Sequence, residues 1–212
     1  MKHSIEHLRH HVIPLLALLC LFASTSVYAE IGPQQLVEQT TDKMLTKLKQ
    51  EREALKKEPD LIYGMVSEIV LPHFDFVAMS RWVLAKHWRR ASKEQKLSFV
   101  KAFRTLMVRT YAVALLEYTD QKIHFLPLRD DPAKGDVTVR SEVKQTSKPS
   151  IIIRYNLHLK KQGWKVYDLS VDGVSLVANY RTSFATEITS TSLDALIARL
   201  EKHNTRAEKA SS

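Results

Sequence analysis

Ile151-Ile152-Ile153-Arg154-Tyr155-Asn156-Leu157-His158-Leu159-Lys160 is the stretch that decides the fold. Ile151, Ile153, Tyr155, Leu157 and Leu159 share one parity, and Ile152, Arg154, Asn156, His158 and Lys160 the other. Successive side chains of a strand point to opposite faces, so this alternation describes a β-strand with one apolar and one wet face. Val137, Val139 and Val143 alternate with Thr138, Arg140 and Glu142 in the same way. Residues 122–128 and 163–171 are also short and rich in β-branched or aromatic residues. Turn signals separate the four stretches: Asp130-Asp131-Pro132, Gly135-Asp136, Lys148-Pro149 and Gln162-Gly163. Residues 122–171 therefore predict a curved antiparallel four-stranded meander.

The chain before this meander has helical periodicity. Pro33 suits a first helical turn, and Val37, Met44, Leu48 and Leu55 continue one apolar stripe to about Lys57, before Pro59. Asp60 can cap a short helix through Ile69, which Pro72 ends. A third helix is expected from Asp75 to about Lys86. Ser92-Lys93-Glu94-Gln95 forms a capping box opening a long helix whose apolar stripe is Leu97, Val100, Phe103, Met107, Tyr111 and Ala114. Beyond the sheet, a helix over Leu176–Ile188 and a last one capped by Ser192 are expected, then a frayed polar tail from His203. The fold class is α+β, with helices (33–118) on one face of a sheet (122–171), C-terminal helices over 174–202 and a flexible tail over 203–212.

Composition narrows the functional classes. Of 212 residues, 44% are hydrophobic and 26% charged, which excludes collagen-like and disordered chains. The formal net charge of +9 favours anionic partners. Residues 1–29 read as a signal peptide: Lys2 and Arg9, an apolar run from Val12 to Ala23, and Val27-Tyr28-Ala29 as a small-residue cleavage pattern. Cleavage there removes Cys20, the only cysteine, so an exported domain over 30–202 must rest on an apolar core rather than on disulfides. Size and cysteine content suit the Gram-negative periplasm.

Chemistry-bearing motifs are sparse. His73, His87, His124, His158 and His203 follow no metal-ligand spacing, and five glycines build no phosphate loop. Ser175 lacks the Gly-x-Ser-x-Gly context of a hydrolase nucleophile. Arg81, Lys86, Arg89 and Arg90 beside Trp82 and Trp88 form the densest basic cluster, either a solvated face with core-anchored tryptophans or a docking surface for something acidic.

Several blocks, in order, resemble the MlaC family of periplasmic phospholipid-binding proteins: Ile69-Val70-Leu71-Pro72-His73-Phe74-Asp75-Phe76, Arg81-Trp82-Val83-Leu84, His87-Trp88-Arg89, Gly173-Val174-Ser175-Leu176-Val177, and Tyr180-Arg181 with Phe184. Ala85 stands where this family is expected to favour Gly; Ala suits a helix interior. The resemblance implies an NTF2-like curved sheet against a helical half, with an apolar cavity between them. It implies a monomeric carrier of phospholipid, with no other cofactor, no metal, no nucleic acid and no catalysis. The implied partners are an outer-membrane lipoprotein–porin complex and an inner-membrane ABC transporter complex with its lipid-binding subunit, and the implied role is maintenance of outer-membrane lipid asymmetry. Candidate lining residues are Val139, Ile153, Tyr155, Leu157, Tyr167 and Leu169 on the sheet, with Phe74, Val83, Phe103, Met107 and Tyr111 on the facing helices. The alternatives from other classes are a small periplasmic hydrolase using the same cavity, and a non-catalytic module docking on anionic surfaces through Arg81–Arg90.

Overall fold

Strands β1 (Lys122–Leu126), β2 (Asp136–Lys144), β3 (Ile151–Lys160), β4 (Gly163–Val171) and β5 (Val174–Ser175) form one antiparallel sheet in chain order. The computed structural model describes residues 31–119, 121–145 and 149–210; the expected signal peptide lies outside the described residues. The two-residue β5 is an addition to the four expected strands. It exists because Asp172 and Gly173, both at positive φ, turn the chain tightly back onto β4. Among the described residues no helix is long and apolar enough to cross a membrane.

Helices α1 (Pro33–Gln50), α2 (Arg52–Lys57), α3 (Leu61–Ile69), α4 (Phe76–Leu84), α5 (Lys86–Arg90) and α6 (Lys93–Tyr111) precede the sheet. Helices α7 (Leu176–Ser190) and α8 (Leu193–Ala210) follow it. The capping box of α6 is formed: Gln95 N donates to Ser92 Oγ, and Ser92 N donates to the Gln95 side chain. The expected first helix breaks at Glu51, and the helix expected to reach Ala114 leaves α-geometry after Tyr111 for a 3-10 turn over Ala112–Glu117. The tail expected to fray from His203 is instead helical to Ala210. Asn204 explains this: it is buried and donates to the Ala102 carbonyl of α6 at 3.0 Å, which anchors the last turns.

Ala85 is a second correction. It does not continue a helix; it lies at the break between α4 and α5 with φ 46° and ψ −115°. A Cβ is disfavoured in that conformation, which supplies the physical reason for a glycine preference at this position.

The core has three parts. Met79, Val83, Leu84, Phe99, Phe103, Leu106, Phe184, Leu196 and Leu200 pack where α4, α6, α7 and α8 meet. Met44, Leu48, Ile62, Met65 and Val66 form a second cluster between α1 and α3. Val37 of α1 joins Val137, Val139, Leu157, Trp164 and Val166 on the sheet. Phe74 packs against both the first and the third clusters. Its backbone bridges Val166 in parallel, and Asp75 N donates to the Val166 carbonyl at 2.8 Å. The helical half is thus pinned to the edge of β4.

Asp75 concentrates this junction. Its carboxylate accepts from Ala78 N, capping α4, and pairs with His158 Nε2 at 3.0 Å and Lys160 Nζ at 3.2 Å on β3. Burial alone pushes the carboxyl up, but the Ala78 amide, Lys160 and His158 outweigh it and hold the group below the ordinary 3.8.

Two outcomes follow for the folded chain. Ala85→Gly raises stability by about 1 kcal/mol, seen in urea melts, because relief of strain exceeds the added unfolded-state entropy. Asp75→Ala costs about 2 kcal/mol at pH 7, through the lost cap and charge-assisted bonds. Because the folded carboxyl titrates below the unfolded one, its stabilisation is complete above the unfolded value near 3.8 and is lost as pH falls through the folded value. The gap between wild type and Asp75→Ala therefore closes in melts taken at progressively lower pH in that acid window.

Candidate functional site

The register of the strands sets which residues share the inner face. Val137 pairs with Leu157, Val139 with Tyr155, Ser141 with Ile153 and Val143 with Ile151. Phe125 and Ile123 of β1 extend the same face through Ser141 and Val143. Leu169 and Val171 of β4 extend it through Tyr155 and Ile153. The end of this face where β2 and β4 begin is sealed: Val137, Val139, Leu157, Trp164 and Val166 are buried, with Val37 of α1 among them. Toward the other end the cover thins. Ile123, Phe125, Val143, Ile151, Ile153 and Tyr155 are only half-buried, and Val171 is 36% exposed. The result is an apolar trough, closed toward one end of the sheet and open toward the other.

Few polar groups interrupt it. Burial pushes the Tyr155 phenol up, and Ser141 beside it offsets this only in part. The fully buried Ser141 hydroxyl makes no well-formed hydrogen bond itself. The neighbouring helical core is aromatic. Phe103 stacks on Phe99 at 5.6 Å, and Tyr180 meets Phe103 edge-on at 5.4 Å. The Tyr111 phenol is pushed up to about 12 by burial and by the neighbouring Tyr180. Leu169 packs against this same cluster while pairing across the strands with Tyr155, so it links trough and helices.

The expected lining residues divide into groups. Ile153, Tyr155 and Leu169 lie half-buried along the trough, and Phe103, Met107 and Tyr111 stand on the helical side. Val139 and Leu157 belong to the sealed end, Val83 to the interior of the helical core, and Phe74 to the junction. Tyr167 is a correction. The register shifts between Asn156 and Leu157, leaving Tyr167 unpaired opposite β3 and turning it to the polar face. Its hydroxyl donates to Asp136 at 3.2 Å and its ring lies 5.0 Å from His158. Burial, then Asp136, pushes that phenol up to about 12. Not named as candidates were Ile123, Phe125 and Val143 on the half-buried end of the sheet, and Tyr180 against the helical core. Val143 was visible in the alternation of β2, and Tyr180 in the Tyr180-Arg181 block.

Ser175 Oγ donates to Asp168 at 2.7 Å and accepts from Ala178 N at 3.0 Å, so its hydroxyl is occupied as the cap of α7. Among the described residues no group of His, Cys, Asp and Glu could hold a metal. Trp82, one reading of which was a core anchor, is 53% exposed and carries the Arg181 guanidinium 5.7 Å above its ring.

Comparison with known proteins gives consistent findings. The chain matches the MlaC protein family over residues 38–202. It is 26% identical, over 87% of its length and 88% of the other's, to the intermembrane phospholipid transport system binding protein MlaC of Haemophilus influenzae. It is 32% identical to the toluene tolerance protein ttg2D of Pseudomonas putida, covering 81% of this chain and 79% of that protein. A phospholipid-binding protein of Ralstonia solanacearum, solved in complex with a phospholipid, superimposes with a TM-score of 0.76 at 26% identity, covering 82% of this chain and 98% of that one.

The difference between the sealed end and the open end is measurable. Leu157→Asp places an unpaired charge at a fully buried position and costs more than about 3 kcal/mol, visible as poor yield of folded protein. Ile153→Asp, at the half-buried end, leaves a cooperative melt.

Proposed function

Because the chain belongs to the MlaC family, we propose that it is a phospholipid carrier that receives acyl chains in the trough on the inner face of β1–β4. The half-covered apolar face is the observation that carries this reading. An apolar surface of that length, left open beside a rigid aromatic wall, offers hydrocarbon a dry seat without any further fold. The phospholipid held by the Ralstonia solanacearum relative supports the same ligand class.

The energetic need is large. At about 0.8 kcal/mol per methylene, a diacyl lipid with roughly 30 methylenes loses on the order of 24 kcal/mol on entering water. A carrier crosses the gap only if its own apolar surface replaces the bilayer. It must also release its cargo, so broad, non-directional contact serves better than a tight polar headgroup site. The sparse polar groups of the trough, Tyr155 and Ser141, fit that requirement. The headgroup then stays at the open end near solvent.

The remaining parts of the proposal follow from the family. The protein is exported by a signal peptide over 1–29 and works in the periplasm as a monomer. It exchanges phospholipid with an outer-membrane lipoprotein–porin complex and with the lipid-binding subunit of an inner-membrane ABC transporter, preserving outer-membrane lipid asymmetry. The sheet is of NTF2-like type. The protein binds its cargo unchanged and catalyses nothing; the commitment of Ser175 to a helix cap supports this over a hydrolase.

Mass spectrometry of organic extracts tests the reading. Mature protein purified from a bacterial periplasm carries near-stoichiometric phospholipid, and Ile153→Asp carries at least about threefold less while keeping its fold. Folded wild-type protein without bound phospholipid would overturn the proposal.

A further inference from the structure

Helix α6 has two apolar sides, and only one faces the core. Phe99, Phe103 and Leu106 are buried in the helical cluster. Leu97 and Val100, which the sequence assigned to the same stripe, turn the other way, and Leu97 is 63% exposed. With Val108 and with Tyr63 and Leu71 from the α3 side, they line an open cleft of about 480 Å³ between α3 and α6. That volume lies in the lower half of the ~300–1,000 Å³ range of small-molecule sites.

The cleft is also cationic. Lys101, Arg104 and Arg109 line it, and no acidic residue does. Among the described residues, none of the three has a carboxylate partner. Arg109 lies with its guanidinium 5.1 Å over the Tyr63 ring, and its Nη1 is buried without any hydrogen-bond partner. A guanidinium remains charged at all working pH values, and a buried, unsatisfied donor of this kind is costly unless an acceptor arrives. Arg104 stands over Phe76 at 6.0 Å, a contact that leaves its donors available for an anion.

We propose that this cleft is a second ligand site, separate from the trough, for a single-chain anionic amphiphile. Leu97, Val100, Val108 and Leu71 receive the chain, and Arg109 and Arg104 receive the head. The limited volume and the one-sided apolar wall favour one acyl chain over two. The head is an oxyanion, either the carboxylate of a fatty acid or the phosphate of a lysophospholipid. Such molecules are what remains when a diacyl lipid loses a chain, so the site would let one protein hold intact lipid and its breakdown product in different places.

Isothermal titration of mature protein carrying its co-purified lipid tests this, with oleate, 1-oleoyl-lysophosphatidate, oleyl alcohol and inorganic phosphate as probes. One equivalent of oleate or of 1-oleoyl-lysophosphatidate binds, and the two identify a carboxylate or a phosphate head respectively. Oleyl alcohol and inorganic phosphate each bind at least about tenfold more weakly, since one lacks the charge and the other the chain. Arg109→Gln and the more exposed Arg104→Gln each weaken binding about tenfold, with phospholipid content and melting temperature unchanged in Arg104→Gln. Displacement of the co-purified lipid one for one would overturn the proposal, by assigning the amphiphile to the trough. Affinity unchanged in Arg104→Gln, or an equal response to oleyl alcohol or to inorganic phosphate, would overturn it too.

Discussion

The structure depends on an apolar sheet face longer than the helices that cover it. Burial of apolar area contributes about 25 cal/mol per Å², so the chain gains by covering as much of this face as it can. Val37 of α1, with Trp164 and Val166, closes one end. Ile123, Phe125, Val143, Ile151 and Ile153 stay half-covered, because the adjoining helical core is already occupied with itself. What remains uncovered is the apolar surface that the proposed function assigns to hydrocarbon.

The helical core beside the sheet is rigid. The rings of Phe99, Phe103, Tyr180 and Phe184 lock one another in stacked, tilted and edge-on contacts between 5.2 and 6.2 Å. Such a cluster resists collapse onto the sheet, since interior packing is dense and shifts in discrete steps. The Phe74–Asp75 segment fixes the separation from the other side. It is at once an edge partner of β4, the cap of α4 and a charge partner for His158 and Lys160. Spacing between the halves therefore rests on backbone and charge-assisted bonds.

Much of this was legible in the residues. The parity of β3 named Ile153, Tyr155 and Leu157 as inner residues, and the ladder places them together there. Ser192 and Ser92 each cap the helix expected of them. What escaped depends on non-local geometry. The shifted register opposite Asn156 and Leu157 turned Tyr167 to the wet face, and no local pattern marks such a shift. The positive φ of Ala85 is imposed by the angle between α4 and α5, where residue type argued for a plain helix. Asn204 holds the tail through a carbonyl 102 residues away, beyond any local reading. Leu97 and Val100 share helical periodicity with Phe103, but only packing shows that α6 divides its apolar residues between two sides.

The claim that acyl chains lie along the half-covered end of the sheet is tested most directly by paramagnetic broadening. The mature protein, labelled with nitrogen-15, is loaded with a phospholipid bearing a nitroxide near the end of one chain. The account predicts that amide signals of Val143, Ile151 and Ile153 broaden strongly, while those of Leu97 and Val100 on the far side of α6 stay sharp. Sharp signals across β1–β3 with lipid bound, or broadening confined to the α3–α6 side, would contradict it.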